Sequence, residues 1–154
     1  MNRVDPLRPG YHTVTPYLAV EDALAAHEFY QRAFGAVVVA RLDAPDGRVV
    51  HGALRFGDSI VVVVDEMEPV GLRTPRNGGT CSISLSVEDA DAVFARAVAA
   101  GARAVVPVRE SFAGERHGLL VCPFGHRWIV STRTEDLSDE EIAARFHQKV
   151  ARVG

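Results

Sequence analysis

Cysteine is scarce in this sequence. Cys81 and Cys122 are the only two, too few for a disulfide framework, so the default compartment is a reducing cytoplasm. Long hydrophobic runs are missing as well. None reaches the roughly 20 residues needed to cross a bilayer, which predicts no association with a membrane. The opening Met1-Asn2-Arg3-Val4-Asp5-Pro6 has no apolar stretch after its charges, so no secretory signal is expected. Charge is balanced rather than one-sided: 17 Lys and Arg stand against 20 Asp and Glu, a formal net charge of −3. Without a basic tract, nucleic acid is not expected as a partner. There is no Gly-rich phosphate loop. No Cys-His-Asn or Ser-His-Asp pattern accompanies Cys122, so a nucleophilic thiol is not expected either. What remains is an ordinary globular composition, 47% hydrophobic and 24% charged over 154 residues. A chain of this length buries about 70% of its unfolded surface and needs neither disulfide nor metal to stay folded.

The sequence repeats itself. Thr13-Val14-Thr15-Pro16-Tyr17-Leu18-Ala19-Val20-Glu21-Asp22-Ala23 has a counterpart in Ser82-Ile83-Ser84-Leu85-Ser86-Val87-Glu88-Asp89-Ala90, with the two aspartates 67 residues apart. An Ala-rich helical pattern closed by glycine follows each, at Ala33-Phe34-Gly35-Ala36 and Ala99-Ala100-Gly101-Ala102. His51-Gly52-Ala53-Leu54 then matches His117-Gly118-Leu119-Leu120, and Phe56-Gly57 matches Phe124-Gly125. Four landmarks within two residues of one offset indicate a duplication.

Each half reads as strand, helix, then three strands. Asp22 and Asp89 are placed to cap helix N-termini, and Gly35 and Gly101 to stop those helices in the left-handed conformation. Residues 37–43, 47–56 and 59–65 read as strands, with Pro45-Asp46-Gly47 as a turn. Their counterparts fall near 104–109, 115–121 and 127–133. The expected organisation is a first module over 12–65, a linker over 66–79, a second module over 80–134 and a C-terminal helix over 136–154, all within a single structural domain. That last helix starts at a capping box of Ser138 and Glu141. The fold class is α+β: tandem βαβββ modules forming a cupped, barrel-like mixed sheet with helices on the outer face.

Strand alternation assigns the two faces. Val14, Pro16, Leu18 and Val20 suit a helix-packed face and Thr13, Thr15, Tyr17 and Ala19 the other. In the second half Ile83, Leu85 and Val87 take the helix side, and Ser82, Ser84 and Ser86 the other. Small hydroxyls in a row suit a lined pocket; they equally suit an open sheet facing solvent. Phe29, Tyr30, Phe34 and Trp128 are expected in the helix-packed core.

The pattern Val20-Glu21-Asp22-Ala23, Glu28-Phe29-Tyr30 and Ala33-Phe34-Gly35, with Cys122-Pro123-Phe124-Gly125-His126-Arg127-Trp128 near the end, resembles the vicinal oxygen chelate superfamily. That group includes glyoxalase I, extradiol dioxygenases, fosfomycin-resistance enzymes and bleomycin-resistance proteins. The resemblance spans about residues 12–134 and implies paired βαβββ modules, commonly a homodimer, with a pocket in each cupped sheet. Enzymes of the group usually hold a divalent metal through a His on the first strand and a Glu on the last strand of each module, with open positions for chelating substrate oxygens. Carried over by position, the His places fall on Thr15 and Ser82 and the Glu places on Val61 and Ile129. None of these is a normal metal ligand, so neither metal nor cofactor is expected. A branch of the superfamily dispenses with metal and sequesters an antibiotic at its dimer interface. The resemblance thus implies a metal-independent, cytoplasmic, homodimeric protein binding an organic molecule, an antibiotic or a metabolite. The alternative is a lyase- or isomerase-type enzyme with atypical acid/base or metal residues.

Several side chains are candidates for contact with that molecule. Besides Thr15, Val61, Ser82 and Ile129, they are Tyr17 and Ser84 on the first strands, and His51 and His117, equivalent by the repeat. The two histidines suit acid/base work or an unusual metal site, or a local hydrogen bond in each strand. The hairpin Glu110-Ser111-Phe112-Ala113-Gly114-Glu115-Arg116-His117 offers Phe112 and Arg116 for stacking and ion pairing, or is a charged hairpin in water. The catalytic candidates are His51, His117 and Glu110. His12, three residues before the expected ligand position, is not counted as a displaced ligand.

Overall fold

A computed structural model describes residues 4–76 and 79–152. The chain divides into two compact units. The first runs through Gly79 and includes Pro123–His126; the second comprises Thr80–Cys122 and the residues from Arg127 onward. The first unit contains β1 (Tyr17–Val20), α1 (Ala23–Phe34), β2 (Val37–Asp43), β3 (Val49–Phe56) and β4 (Ser59–Asp65). The second contains β5 (Ser82–Ser86), α2 (Ala90–Ala99), β6 (Arg103–Glu110), β7 (Glu115–Val121), β8 (Arg127–Arg133) and α3 (Asp139–Ala151). Each βαβββ module forms a four-stranded mixed sheet, in the orders β1-β4-β3-β2 and β5-β8-β7-β6. The first strand of each pairs in parallel with the last, and the other pairs are antiparallel. The architecture is α+β, as the repeat predicts. No helix among the described residues is long and apolar enough to cross a membrane.

The same local chemistry starts both module helices. Asp22 accepts from the Ala25 amide and Asp89 from the Ala92 amide, each at 2.9 Å. A second tie comes from the last strand. The Asp65 carboxylate accepts from the amides of Ala23 (2.9 Å) and Val49 (2.7 Å), satisfying two donors at once. Its counterpart Thr132 accepts from the Ala90 amide at 2.7 Å and donates to the Val87 carbonyl at 2.9 Å. Gly35 caps α1 in the left-handed conformation, with φ 68°. In α2 the cap is Ala100, and Gly101 follows it at φ 116°. The capping box of Ser138 and Glu141 opens α3.

One expectation shifts. Strand β1 begins only at Tyr17, so Val14, assigned to a helix-packed face, is 81% exposed. Within the stretch expected as a linker, Glu68–Val70 makes a 3-10 turn, bracketed by a bridge between Met67 and Leu72.

One face of the first sheet packs on α1. Phe29, Tyr30 and Phe34 interlock with Phe56 and with Phe124 at centroid separations of 5.4–6.4 Å. The helix lies so close that β3 has no room for a side chain at Gly52: a Cβ there would collide with His27 Cε1, with His27 Nε2 at 2.5 Å and with the Val63 carbonyl at 2.6 Å. In the second unit, a Cβ at Gly118 would meet Phe94 of α2 at 2.8 Å and Val108 at 2.9 Å. Trp128, Leu120 and Val130 are buried in that unit. Since side chains alternate along a strand, His51 and His117 are turned to the face opposite the helices.

Two histidines are buried in the first unit. His27 donates Nε2–H to the Val63 carbonyl at 3.0 Å, and His126 donates Nε2–H to the Ala19 carbonyl at 2.9 Å. Burial holds both below the ordinary histidine pKa, and His27 Nδ1 lies buried without a partner among the described residues. A second ring proton there would have nothing to bond.

Two predictions follow from this packing. Gly52→Ala is expected to destabilise the protein by about 1–3 kcal/mol through overpacking, read from urea unfolding. Because the histidine pKa values are depressed in the folded state, the unfolded chain takes up protons first as pH falls below about 6.5. Stability is therefore complete above that pH and declines below it. Replacing both His27 and His126 by Gln should flatten the dependence of unfolding free energy between about pH 7.5 and 5.5.

Candidate functional site

The face of each sheet turned away from its helix carries the candidate side chains. In the first unit, Ala53, Ile60, Val62 and Val64 form an apolar cluster on that face, and Tyr11, Met67 and Leu72 pack over it. Beside this cover lies a cavity of about 700 Å³ whose walls include Thr15, Tyr17 and His51 from the expected set. Tyr11, His12, Arg8 and Arg41 complete much of the wall. The Tyr17 and His51 rings are 6.3 Å apart, and His51 Nε2 is buried with no hydrogen-bond partner among the described residues. His12 precedes β1, so strand alternation did not reveal it, yet it shares a wall with His51.

In the second unit the corresponding face is open. A cavity of about 370 Å³ is lined by Ser82, Ser84, His117 and Ile129 from the expected set, together with Glu115, Arg109 and Arg127. His117 Nδ1 lies 2.9 Å from Glu115 Oε1, so the carboxylate orients the ring and leaves Nε2 as the second functional nitrogen. The residue two before His51 is Val49, fully buried, so the first-unit histidine has no such carboxylate. Both cavities fall in the size range of small-molecule sites, roughly 300–1,000 Å³.

Four candidates are placed elsewhere. Val61 pairs with Leu54 and takes the place that Trp128, opposite Leu120, has in the second unit. The residue matching Ile129 is Val62: Tyr17 pairs with Val62 as Ser84 pairs with Ile129. Phe112 faces α3, its ring 5.3 Å from that of Phe146 and beneath the Lys149 ammonium at 5.6 Å. Arg116 makes a two-point contact with Asp91 of α2, at 2.8 and 2.9 Å, which lowers the Asp91 pKa. Glu110, a catalytic candidate, pairs with the same arginine at 3.3 Å. Phe112 and Arg116 tie the hairpin to helices, Glu110 braces Arg116 within it, and none of the three lines either cavity.

The metal site implied by the resemblance does not fit these residues. The donor places hold Thr15, Ser82, Ile129 and, in corrected register, Val62. Two are weak hydroxyl donors and two offer no donor at all. Among the described residues, no three His, Cys, Asp or Glu side chains stand together as an ion site.

If Phe112 serves the helix, Phe112→Ala should loosen α3 alone. Hydrogen exchange is expected to speed up across 142–150 while β7 and β8 keep their protection.

Comparison with known proteins agrees with this architecture. An uncharacterized protein of Mycobacterium bovis is 38% identical over 136 residues, covering 85% of this chain and 90% of the relative. TioX from Micromonospora sp. ML1 superposes with a TM-score of 0.65 at 28% identity, over 79% of this chain and 98% of that one. The At5g48480 gene product of Arabidopsis thaliana does so with a TM-score of 0.62 at 30% identity, over 78% and 98%. The family model for the Glyoxalase/Bleomycin resistance protein/Dioxygenase superfamily matches residues 10–130, and with the duplicated βαβββ modules this match makes the chain a member of that superfamily.

Proposed function

We propose that this member of the superfamily is a metal-independent small-molecule-binding protein, a cytoplasmic homodimer holding an organic antibiotic or metabolite against the helix-free faces of its sheets. The observation that carries the reading is the set of residues at the donor places. Thr15, Ser82, Val62 and Ile129 cannot assemble a chelating site, while cavities of ligand size lie beside them. Aromatic, hydroxyl and cationic side chains line those cavities, a mix that orients an organic ligand by a few polar contacts over apolar ground. The dimer is supported by β2, an edge strand that exposes Val37, Val39 and Leu42 at 46–61%; an uncovered apolar edge favours pairing with another chain.

A second reading rests on one contact. The Glu115–His117 pair is a base with its orienting carboxylate, the arrangement a proton-transferring lyase or isomerase uses. The first unit has no equivalent pair, so any such chemistry would belong to the second unit.

Native mass spectrometry of untagged protein, purified without chelator, separates the readings. The expected result is a metal-free dimer carrying a small molecule of definite mass. One metal ion per subunit would overturn the binding reading, and a co-purified ligand converted over time by wild type but not by His117→Gln would establish the enzyme.

A further inference from the structure

The open face of the second sheet also indicates the charge of its ligand, an inference that rests on the small-molecule reading above. Strand register lays this face out in rows across β5, β8, β7 and β6. The middle row reads Ser84, Ile129, Leu119, Val106, an apolar strip with a hydroxyl at one end. One row toward the start of β8 stands Arg127, opposite Ser82. One row the other way stand Ser131, His117 and Arg109. Rows on one face are about 7 Å apart, so an arginine flanks the apolar strip on each side, within reach of a small ligand lying on it.

These arginines differ from three others in the same unit. Arg116, Arg133 and Arg145 in the same unit are engaged by Asp91, Asp136 and Glu135 respectively. Arg109 and Arg127 have no side-chain hydrogen bond or ion pair among the described residues, although both line the cavity. Among the described residues Glu115 is the one carboxylate on the cavity wall, and His117 occupies it. The hydroxyls of Ser82 and Ser84 are likewise without hydrogen-bond partners among the described residues. The face therefore offers two uncommitted guanidinium groups and two uncommitted hydroxyls around an apolar centre. A guanidinium meets a carboxylate in a planar, two-point contact.

The first unit lacks this arrangement. The match to Ile129 is Val62, within the cluster covered by Tyr11, Met67 and Leu72, so that part of its face is filled from within the chain.

We infer that the second-unit face binds an organic carboxylate, with a compact apolar body on Ile129, Leu119 and Val106 and its carboxylate held by Arg127 or Arg109 together with the Ser82 and Ser84 hydroxyls. The test uses 1-naphthoate and its uncharged isostere 1-naphthamide as probes, titrated calorimetrically into the full-length protein. Naphthoate is expected to bind about tenfold or more tightly than the amide. R127Q and R109Q combined should erase that preference, with naphthoate losing far more affinity than the amide. R145Q, which removes a cation outside the cavity, should keep the preference. Both arginines are solvent-exposed or half-buried and unpaired, so matching thermal unfolding will show that the variants fold. Equal affinity for the two probes, a preference that survives the double substitution, or no naphthoate binding at concentrations on the order of millimolar overturns the inference. Each of those results in a metal-free protein leaves the small-molecule reading standing, whereas a bound metal in native mass spectrometry removes that reading itself.

Discussion

The close approach of each helix to the middle of its sheet sets the rest of the architecture. At Gly52 and Gly118 the third strand of each module passes under a helix with no room for a Cβ. A strand has only two faces, so fixing one residue against the helix fixes the direction of all the others. His51 and His117 sit on the cavity side because their neighbours must be glycine. A packing constraint thus determines which residues line the cavities, and the Asp65 and Thr132 ties hold the helix N-termini where the constraint operates.

The fold was legible in the sequence because its signals are local. Asp22, Asp89, Gly35 and the Ser138–Glu141 pair each act within a few residues, and strand alternation needs only one strand. The cavity walls were legible in part, from Thr15, Tyr17 and His51 in the first unit and Ser82, Ser84, His117 and Ile129 in the second. Val61 was misassigned because the Phe-Gly landmarks sit in hairpins of different length: Phe56 pairs directly with Ser59, whereas Val121 pairs with Arg127 across a longer turn. Counting from the glycine therefore slips by one residue, and one residue is a whole face. Phe112, Arg116 and Glu110, readable also as a charged hairpin in water, lie off both cavities. Arg116 meets Asp91, 25 residues away, and Phe112 meets Phe146 of α3, which no local pattern encodes, whereas Glu110 faces Arg116 across its own hairpin.

The two modules have diverged in how they treat the same face. In the first, segments outside the repeat supply Tyr11, Met67 and Leu72 as a cover, and the strands beneath present Ala53, Ile60, Val62 and Val64. In the second, no such cover packs on the strip among the described residues, and the strands carry serine, arginine and histidine. Burying apolar surface stabilises the first unit at roughly 25 cal/mol per Å². The matching face of the second unit, less covered among the described residues, forgoes some of that gain.

The first unit is not a continuous stretch of chain. It includes Pro123–His126, whose Phe124 packs on Phe29 and whose His126 bonds the Ala19 carbonyl. A polypeptide ending at the linker would leave that aromatic edge wet and that carbonyl without its imidazole. The first unit is therefore completed by residues that come after β7 in the chain, and no single continuous stretch of sequence contains all of its contacts.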